Sequence, residues 1–182
     1  MEFFSVVVGY GEVKFHKNEV VKMVLQGEKI MLVPYTIERC HTFYKNYVAD
    51  PAMTYDTYNY DKEKVDKYYH SKVLDTSRIF FAICHIDNID KTIGEIQIKR
   101  INQEKLCGTL SIHLVNDEFK GNGYGTEAQR LLIDYALNTL GLKTIYADAV
   151  HRNHRSKHIL GKLGFEHLYD DHALAYYKFS IK

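Results

Sequence analysis

Positions 79–86 are a nearly continuous apolar run, apolar and polar residues alternate over 92–101 and 109–115, and polar breaks at Asp87-Asn88-Ile89-Asp90-Lys91 and around Gln103-Glu104-Lys105 separate the three strand-like runs. Alternation with period two marks strands that bury one face, and breaks this short fold successive strands back on each other. An antiparallel meander is therefore expected. Within 109–115, Leu110, Ile112 and Leu114 share one face while Ser111, His113 and Val115 share the other. Further on the period lengthens: Ala128, Leu131, Leu132, Tyr135 and Ala136 follow a helical spacing, which predicts a helix over about 123–140 ended by Gly141. A strand over 143–150, a helix over 154–163 stopped by Gly164, and a last strand over 173–181 complete the pattern. The helix between 109–115 and 143–150 is a crossover, so those two strands should lie parallel in an otherwise antiparallel sheet.

Upstream, residues 30–33 read as a short strand ended by Pro34, and Thr36 is placed to cap a helix, with one or two helices reaching about Val73. Tyr44, Tyr47, Tyr55, Tyr58, Tyr60, Tyr68 and Tyr69 crowd this region. They suit either a wet groove or packing at helix and loop edges, because each ring joins an apolar body to a polar tip. Residues 1–27 carry two β-type runs, 4–8 and 20–25, and read as an N-terminal extension to a domain over 28–182; as an exchanged β-arm they would make a homodimer.

A chain of 182 residues with 46% hydrophobic side chains, 26% charged and two prolines suits one packed domain. Its 24 basic and 23 acidic residues leave a net charge of +1, which does not suit a bulk nucleic-acid binder. Cys40, Cys84 and Cys107 are too few and too far apart for a disulfide framework or a paired-cysteine zinc site. His154 and His158 stand four apart but have no adjacent carboxylate or thiol, so no metal site is expected. No apolar stretch is long enough to span a bilayer, and the N-terminus lacks the basic start of a secretory leader; a cytoplasmic protein without a membrane partner is expected.

The chemistry concentrates in Leu114-Val115-Asn116-Asp117-Glu118-Phe119-Lys120-Gly121-Asn122-Gly123-Tyr124-Gly125-Thr126, a strand that feeds a glycine-rich turn opening a helix. Glycines there permit positive φ and let backbone N–H groups converge, while the helix start adds unpaired donors and partial positive charge. Such a turn wants an anion. No Lys-Ser/Thr follows the glycines, which disfavours a Walker loop, and Thr126 stands where a dinucleotide fingerprint needs its third glycine.

What remains, Lys120-Gly121-Asn122-Gly123-Tyr124-Gly125, resembles the diphosphate loop of the GCN5-related N-acetyltransferases, with Lys120 in the Arg/Gln place. A second block, Val150-His151-Arg152-Asn153-His154-Arg155-Ser156 with Leu163-Gly164-Phe165-Glu166, resembles that family's Asn-x-x-Ser and Leu-Gly-Phe segment. Residues 28–34 and Ile93-Gly94-Glu95-Ile96 are similar to the branch containing ribosomal-protein N-terminal and spermidine acetyltransferases. The resemblance implies an α+β fold with a mostly antiparallel sheet, one splayed parallel pair and flanking helices. It implies acetyl-CoA as co-substrate, without metal, and an amine acceptor, either a protein N-terminus or a small molecule such as a polyamine. Lys120, Gly121, Asn122, Gly123, Tyr124, Gly125 and Thr126 would hold the diphosphate, Asn153 and Ser156 the pantetheine arm, and a backbone N–H near Leu114 and Val115 the developing oxyanion. Arg152, Arg155 and Lys157 suit the 3′-phosphate or simply a solvated helix start.

A neutral amine must attack the thioester. A lysine-like amine is only about 0.04% neutral at pH 7, against roughly 10–17% for an α-amine, so a terminal amine needs less help from a base. Asp148 matches a carboxylate that serves as base in some family members; Glu95 and His113 compete for the role, although each also fits as an ordinary sheet residue. Leu160 stands where the family often has an acidic Tyr. That leaves two readings: an N-acetyltransferase working by direct attack, with a protein or peptide α-amine favoured, or a catalytically silent acetyl-CoA-binding module.

Overall fold

In the computed structural model, residues 23–54 and 57–181 are described. Eight strands form one sheet: β1 (Leu25–Gln26), β2 (Ile30–Pro34), β3 (Ile79–His85), β4 (Asn88–Asn102), β5 (Cys107–Leu114), β6 (Thr144–Val150), β7 (Glu166–Asp170) and β8 (Leu174–Ser180). Their spatial order is β1-β2-β3-β4-β5-β6-β8-β7. Helices α1 (Ile37–Asn46) and α2 (Lys62–Tyr68), the latter continued by a π-helical turn over Tyr69–Val73, precede β3; α3 (Tyr124–Asn138) and α4 (His154–Lys162) flank β6. The strand run 4–8 and residues 20–22 of the run 20–25 fall outside the described residues, as do residues 1–22 of the homodimer arm and Tyr55.

The meander β2-β3-β4-β5 is antiparallel throughout, and β5 and β6 are the parallel pair. That pair is joined only at Cys107, Gly108 and Thr109, opposite Thr144, Ile145 and Tyr146. Beyond Thr109 the strands part, so the last five residues of β5 face a gap. Two clusters cover the sheet. Leu110, Ile145, Ala147 and Ala149 pack on one face with Leu132 of α3 and Leu160 of α4; Val33, Phe80, Ala82 and Cys84 pack on the other with Cys40 and Phe43 of α1 and Val65 of α2.

Two expectations need correction. The break at 87–91 is mostly strand: β4 starts at Asn88, because register shifts at Cys84 and His85 let β3 keep pairing through polar residues. The segment after Gly164 is β7, five exposed residues at the sheet edge; with no buried face it has no alternation to read.

Candidate active site

β4 and β5 bring Glu95 opposite His113. Cross-strand partners share a face, and Ala82 on β3, paired with Glu95, belongs to the α1–α2 side. Glu95 therefore lies beneath the helices at 2% exposure. This excludes the solvent-facing alternative for Glu95. Its carboxylate accepts from the Tyr35 hydroxyl at 2.7 Å and the Tyr44 hydroxyl at 3.4 Å, and stands 3.5 Å from His113 Nδ1. Burial first, and then the Glu95 carboxylate, push the Tyr35 and Tyr44 phenols well above their ordinary range, so both remain protonated donors. Tyr44 also joins Tyr47, Tyr58 and Tyr68 in an aromatic cluster. The tyrosines thus do both things the sequence allowed: they pack at helix edges, and some line cavities.

The gap between β5 and β6 holds a cavity of about 160 Å³ lined by Ser111, His113 and Leu114 on one side and Asp148, Asn153 and Ser156 on the other. His113 and Asp148 thus share a cavity from opposite walls. The ladder decides which main-chain groups face it. Val115 N–H donates to Ile93 O at 3.0 Å, so the amides of Leu114 and Ile112, one and three residues earlier, turn away from β4 toward the gap. At Val115 the N–H is held by Ile93 and the carbonyl accepts from Val48 N–H, so of the expected pair Leu114 is the one whose N–H turns toward the gap.

The glycine turn has the geometry of an anion cradle. Gly121 and Gly123 have φ of +83° and +87°, and a Cβ at Gly121 would meet nothing within 4 Å. Gly123 caps α3 without a side-chain hydrogen bond, which leaves the first-turn donors without a side-chain acceptor. Gly125 faces Ile112 and Leu114, where a Cβ would stand at an ordinary contact distance of 3.7 Å, while Tyr124 meets His85 edge-on at 5.5 Å, and Thr126 follows in the first turn. Asn122 is exposed, with its side-chain amide donating to Glu118 O. Lys120 is not free: its Nζ lies 2.6 Å from Asp50 and 2.5 Å from Asp117, with a side chain 12% exposed. At α4, the Asn153 side chain accepts from Ser156 N–H and donates to Met53 Sδ.

Asp50 and Met53 belong to a segment that no motif singled out. Residues 47–54 cross the mouth of the gap: Val48 is bound to Val115, Asp50 to Lys120, Pro51 O to Arg152, and Met53 to Asn153. Burial raises the Asp50 carboxyl, but the bond from Lys120 and the Ala52 N–H outweigh it and hold Asp50 below its ordinary value. Among the described residues, Tyr47, Val48, Ala49, Pro51, Thr54, Thr57 and Tyr58 line a second cavity beside this segment, and none of these is charged. Only the seven-tyrosine cluster hinted at this region, since contacts over such separations leave no local spacing.

A mostly antiparallel sheet parted at one parallel pair, with a glycine turn opening the following helix, is a fold shared with known acetyltransferases. Residues 29–166 match the Acetyltransferase (GNAT) domain, and the chain belongs to this family. It is an acetyltransferase. It is 28% identical over 123 residues to the probable N-acetyltransferase YjcK of Bacillus subtilis (strain 168), covering 68% of this chain and 67% of that protein. Among solved structures, a chimera of spermidine N-acetyltransferase SpeG from Vibrio cholerae and hSSAT superposes with a TM-score of 0.72 at 15% identity, covering 84% of this chain and 96% of that one. A candidate ribosomal-protein-serine acetyltransferase from Vibrio cholerae gives 0.72 at 13%, covering 87% and 98%, and a GCN5-related N-acetyltransferase from Brucella melitensis gives 0.71 at 17%, covering 90% and 80%. The family uses acetyl-CoA as co-substrate, and the open cradle and unpaired stretch of β5 suit it. Among the described residues no helix is long and apolar enough to cross a membrane.

Proposed function

We propose that this acetyltransferase modifies the α-amine of a protein or peptide, by direct attack within the gap between β5 and β6. The observation that carries the reading is the pairing of a charged, proton-accepting end with a neutral pocket. His113 and Asp148 face the first cavity, whereas the described residues lining the second are tyrosines, threonines and small apolar residues. Among those described residues none offers a carboxylate to the second ammonium of a polyamine. A peptide brings an uncharged first side chain and backbone.

Acetyl-CoA supplies the thioester carbonyl that the amine attacks. The Leu114 N–H, turned into the gap, holds the carbonyl oxygen as negative charge develops. Asp148 draws the incoming ammonium, and His113 takes its proton. Glu95 sets the tautomer: with Nδ1 toward the carboxylate at 3.5 Å, Nδ1 carries the hydrogen and Nε2 is left to accept. Glu95, fixed by Tyr35 and Tyr44, is thus a positioning residue. Leu160, packed in the core, has no proton to offer the departing thiolate. Tyr47 lines both cavities, but burial and Glu95 raise its phenol and make it a poor donor, so the thiolate, the anion of a thiol of pKa about 8.5, departs as such and takes its proton from water. The pantetheine arm lies along β5 beside Asn153 and Ser156, and the loop 120–126 receives the diphosphate.

The test is release of free thiol from acetyl-CoA with three acceptors: a peptide with a free N-terminus, the same peptide N-blocked but carrying lysine, and spermidine. The free-N-terminus peptide should be fastest, and His113→Ala should lower kcat by about 10²–10⁴, the usual worth of a positioned base. Faster turnover of spermidine would overturn the acceptor assignment.

A further inference from the structure

The residue expected to supply positive charge to the diphosphate loop is already neutralised. Lys120 Nζ is pinned between the carboxylates of Asp50 and Asp117, with only a small part of its side chain exposed. A second ammonium reaches the loop from elsewhere in the chain. Lys29, at the foot of β2, extends its Nζ to within 3.3 Å of Asn122 O, and lies 3.7 Å from where a Cβ on Gly123 would stand. Among the described residues Lys29 makes no ion pair within 4.0 Å, and it is exposed.

Its placement is built. Glu127, in the first turn of α3, accepts from the main-chain N–H groups of both Glu28 and Lys29. A Cβ at Gly27 would run into the Glu127 carboxylate, so a larger residue there would have to displace the carboxylate from the two amides. The helix that opens the cradle therefore also clamps the strand start that carries Lys29. The Glu127 carboxylate occupies the two amides, and the Lys29 ammonium projects past it over the turn.

We infer that Lys29, rather than Lys120, provides the cationic side chain that holds the diphosphate of coenzyme A. The inference rests on the loop 120–126 being the diphosphate site, and it adds a ligand from a strand about ninety residues upstream. Backbone donors and the α3 N-terminus fix where the anion sits; Lys29 adds a full charge over the turn, where Asn122 O orients it until an anion arrives. Lys120 serves instead to tie the loop to the segment 47–54.

Calorimetric titration of the full chain with CoA and with 3′-dephospho-CoA tests this, with melting temperatures confirming that each variant folds. Lys29→Ala should weaken both thiols by the same factor, about fivefold for one exposed charge pair and more at low salt, and should flatten the salt dependence. Lys29→Arg should restore most of the affinity, and Lys120→Met should weaken binding less than Lys29→Ala. Unchanged affinity in Lys29→Ala, or a loss confined to CoA and absent with the dephospho compound, would overturn the inference, the latter by assigning Lys29 to the 3′-phosphate. A wild-type protein that binds neither thiol would instead overturn the site reading itself, and the inference with it.

Discussion

Tyr35 and Glu95 are a phenol and a carboxylate buried together, and the proton they share binds the folded state to its pH range. The Tyr35 phenol, raised by burial and then by Glu95, keeps its proton in the folded chain at pH values where an unfolded tyrosine has lost it. The folded state then binds more protons than the unfolded one, so the stability this donor contributes is complete below about pH 10 and falls as pH rises further, by up to about 1.4 kcal/mol per pH unit for one such group. Urea midpoints between pH 9 and 11 should show the fall, and Tyr35→Phe should flatten it by one proton while destabilising the protein at pH 7, because Glu95 loses its shortest hydrogen bond. Glu95→Gln tests the positioning role: kcat should drop with little change in KM, and the pH profile should shift with the His113 environment. Glu95 and His113 were both legible as candidates on facing strands. Tyr35 was not, since a residue just after a strand-ending proline carries no pattern that says it points at a carboxylate sixty residues away.

At the scale of elements, the turn before α3 was readable because its demands are local. Left-handed φ at Gly121 and Gly123 and a helix start without a side-chain cap follow from a few adjacent residues. Gly123→Ala meets no steric wall apart from the Lys29 Nζ, so its penalty is conformational, roughly 1–2 kcal/mol, visible as a lower Tm and as weaker CoA binding. The segment 47–54 is the opposite case. Its Asp50 holds Lys120 across the mouth of the gap, and because Lys120 keeps Asp117 when Asp50 is removed, Asp50→Asn should release the bridge and leave CoA affinity in calorimetry within about twofold of wild type. A several-fold change would show that Asp50 itself governs how the loop meets its ligand. Nothing in residues 47–54 announced this, because the partners are Val115, Lys120, Arg152 and Asn153. β7 escaped for a different reason: a strand exposed on both faces shows no period.

For the molecule as a whole, the parted strands make the sheet two halves, β1 to β5 and β6 to β8, joined within the sheet by three paired positions and outside it by the α3 crossover and the segment 47–54. A thioester lying in the gap would bridge them. Ligand at about a hundred times its Kd stabilises the folded state by about 2.7 kcal/mol, which for a chain of this size raises Tm by several degrees. Hydrogen exchange should slow at the Ile112 and Leu114 amides, which face the gap, more than at His113, whose amide is already within the β4 ladder. Equal protection at all three would show that the ligand does not pair with β5.

Hydrophobic periodicity and the glycine turn by themselves determined the meander, the crossover, the parallel pair and the family resemblance, because each depends on side chains within one or two elements of chain. Only the tertiary structure decided where the parallel pair stops pairing, that Glu95 is buried beneath tyrosines rather than solvated, that Lys120 is neutralised, and that Lys29 stands over the loop. Those outcomes depend on charges and hydrogen-bond partners brought together from distant segments, and electrostatic neutralisation, unlike amphipathic spacing, leaves no trace in the local order of residues.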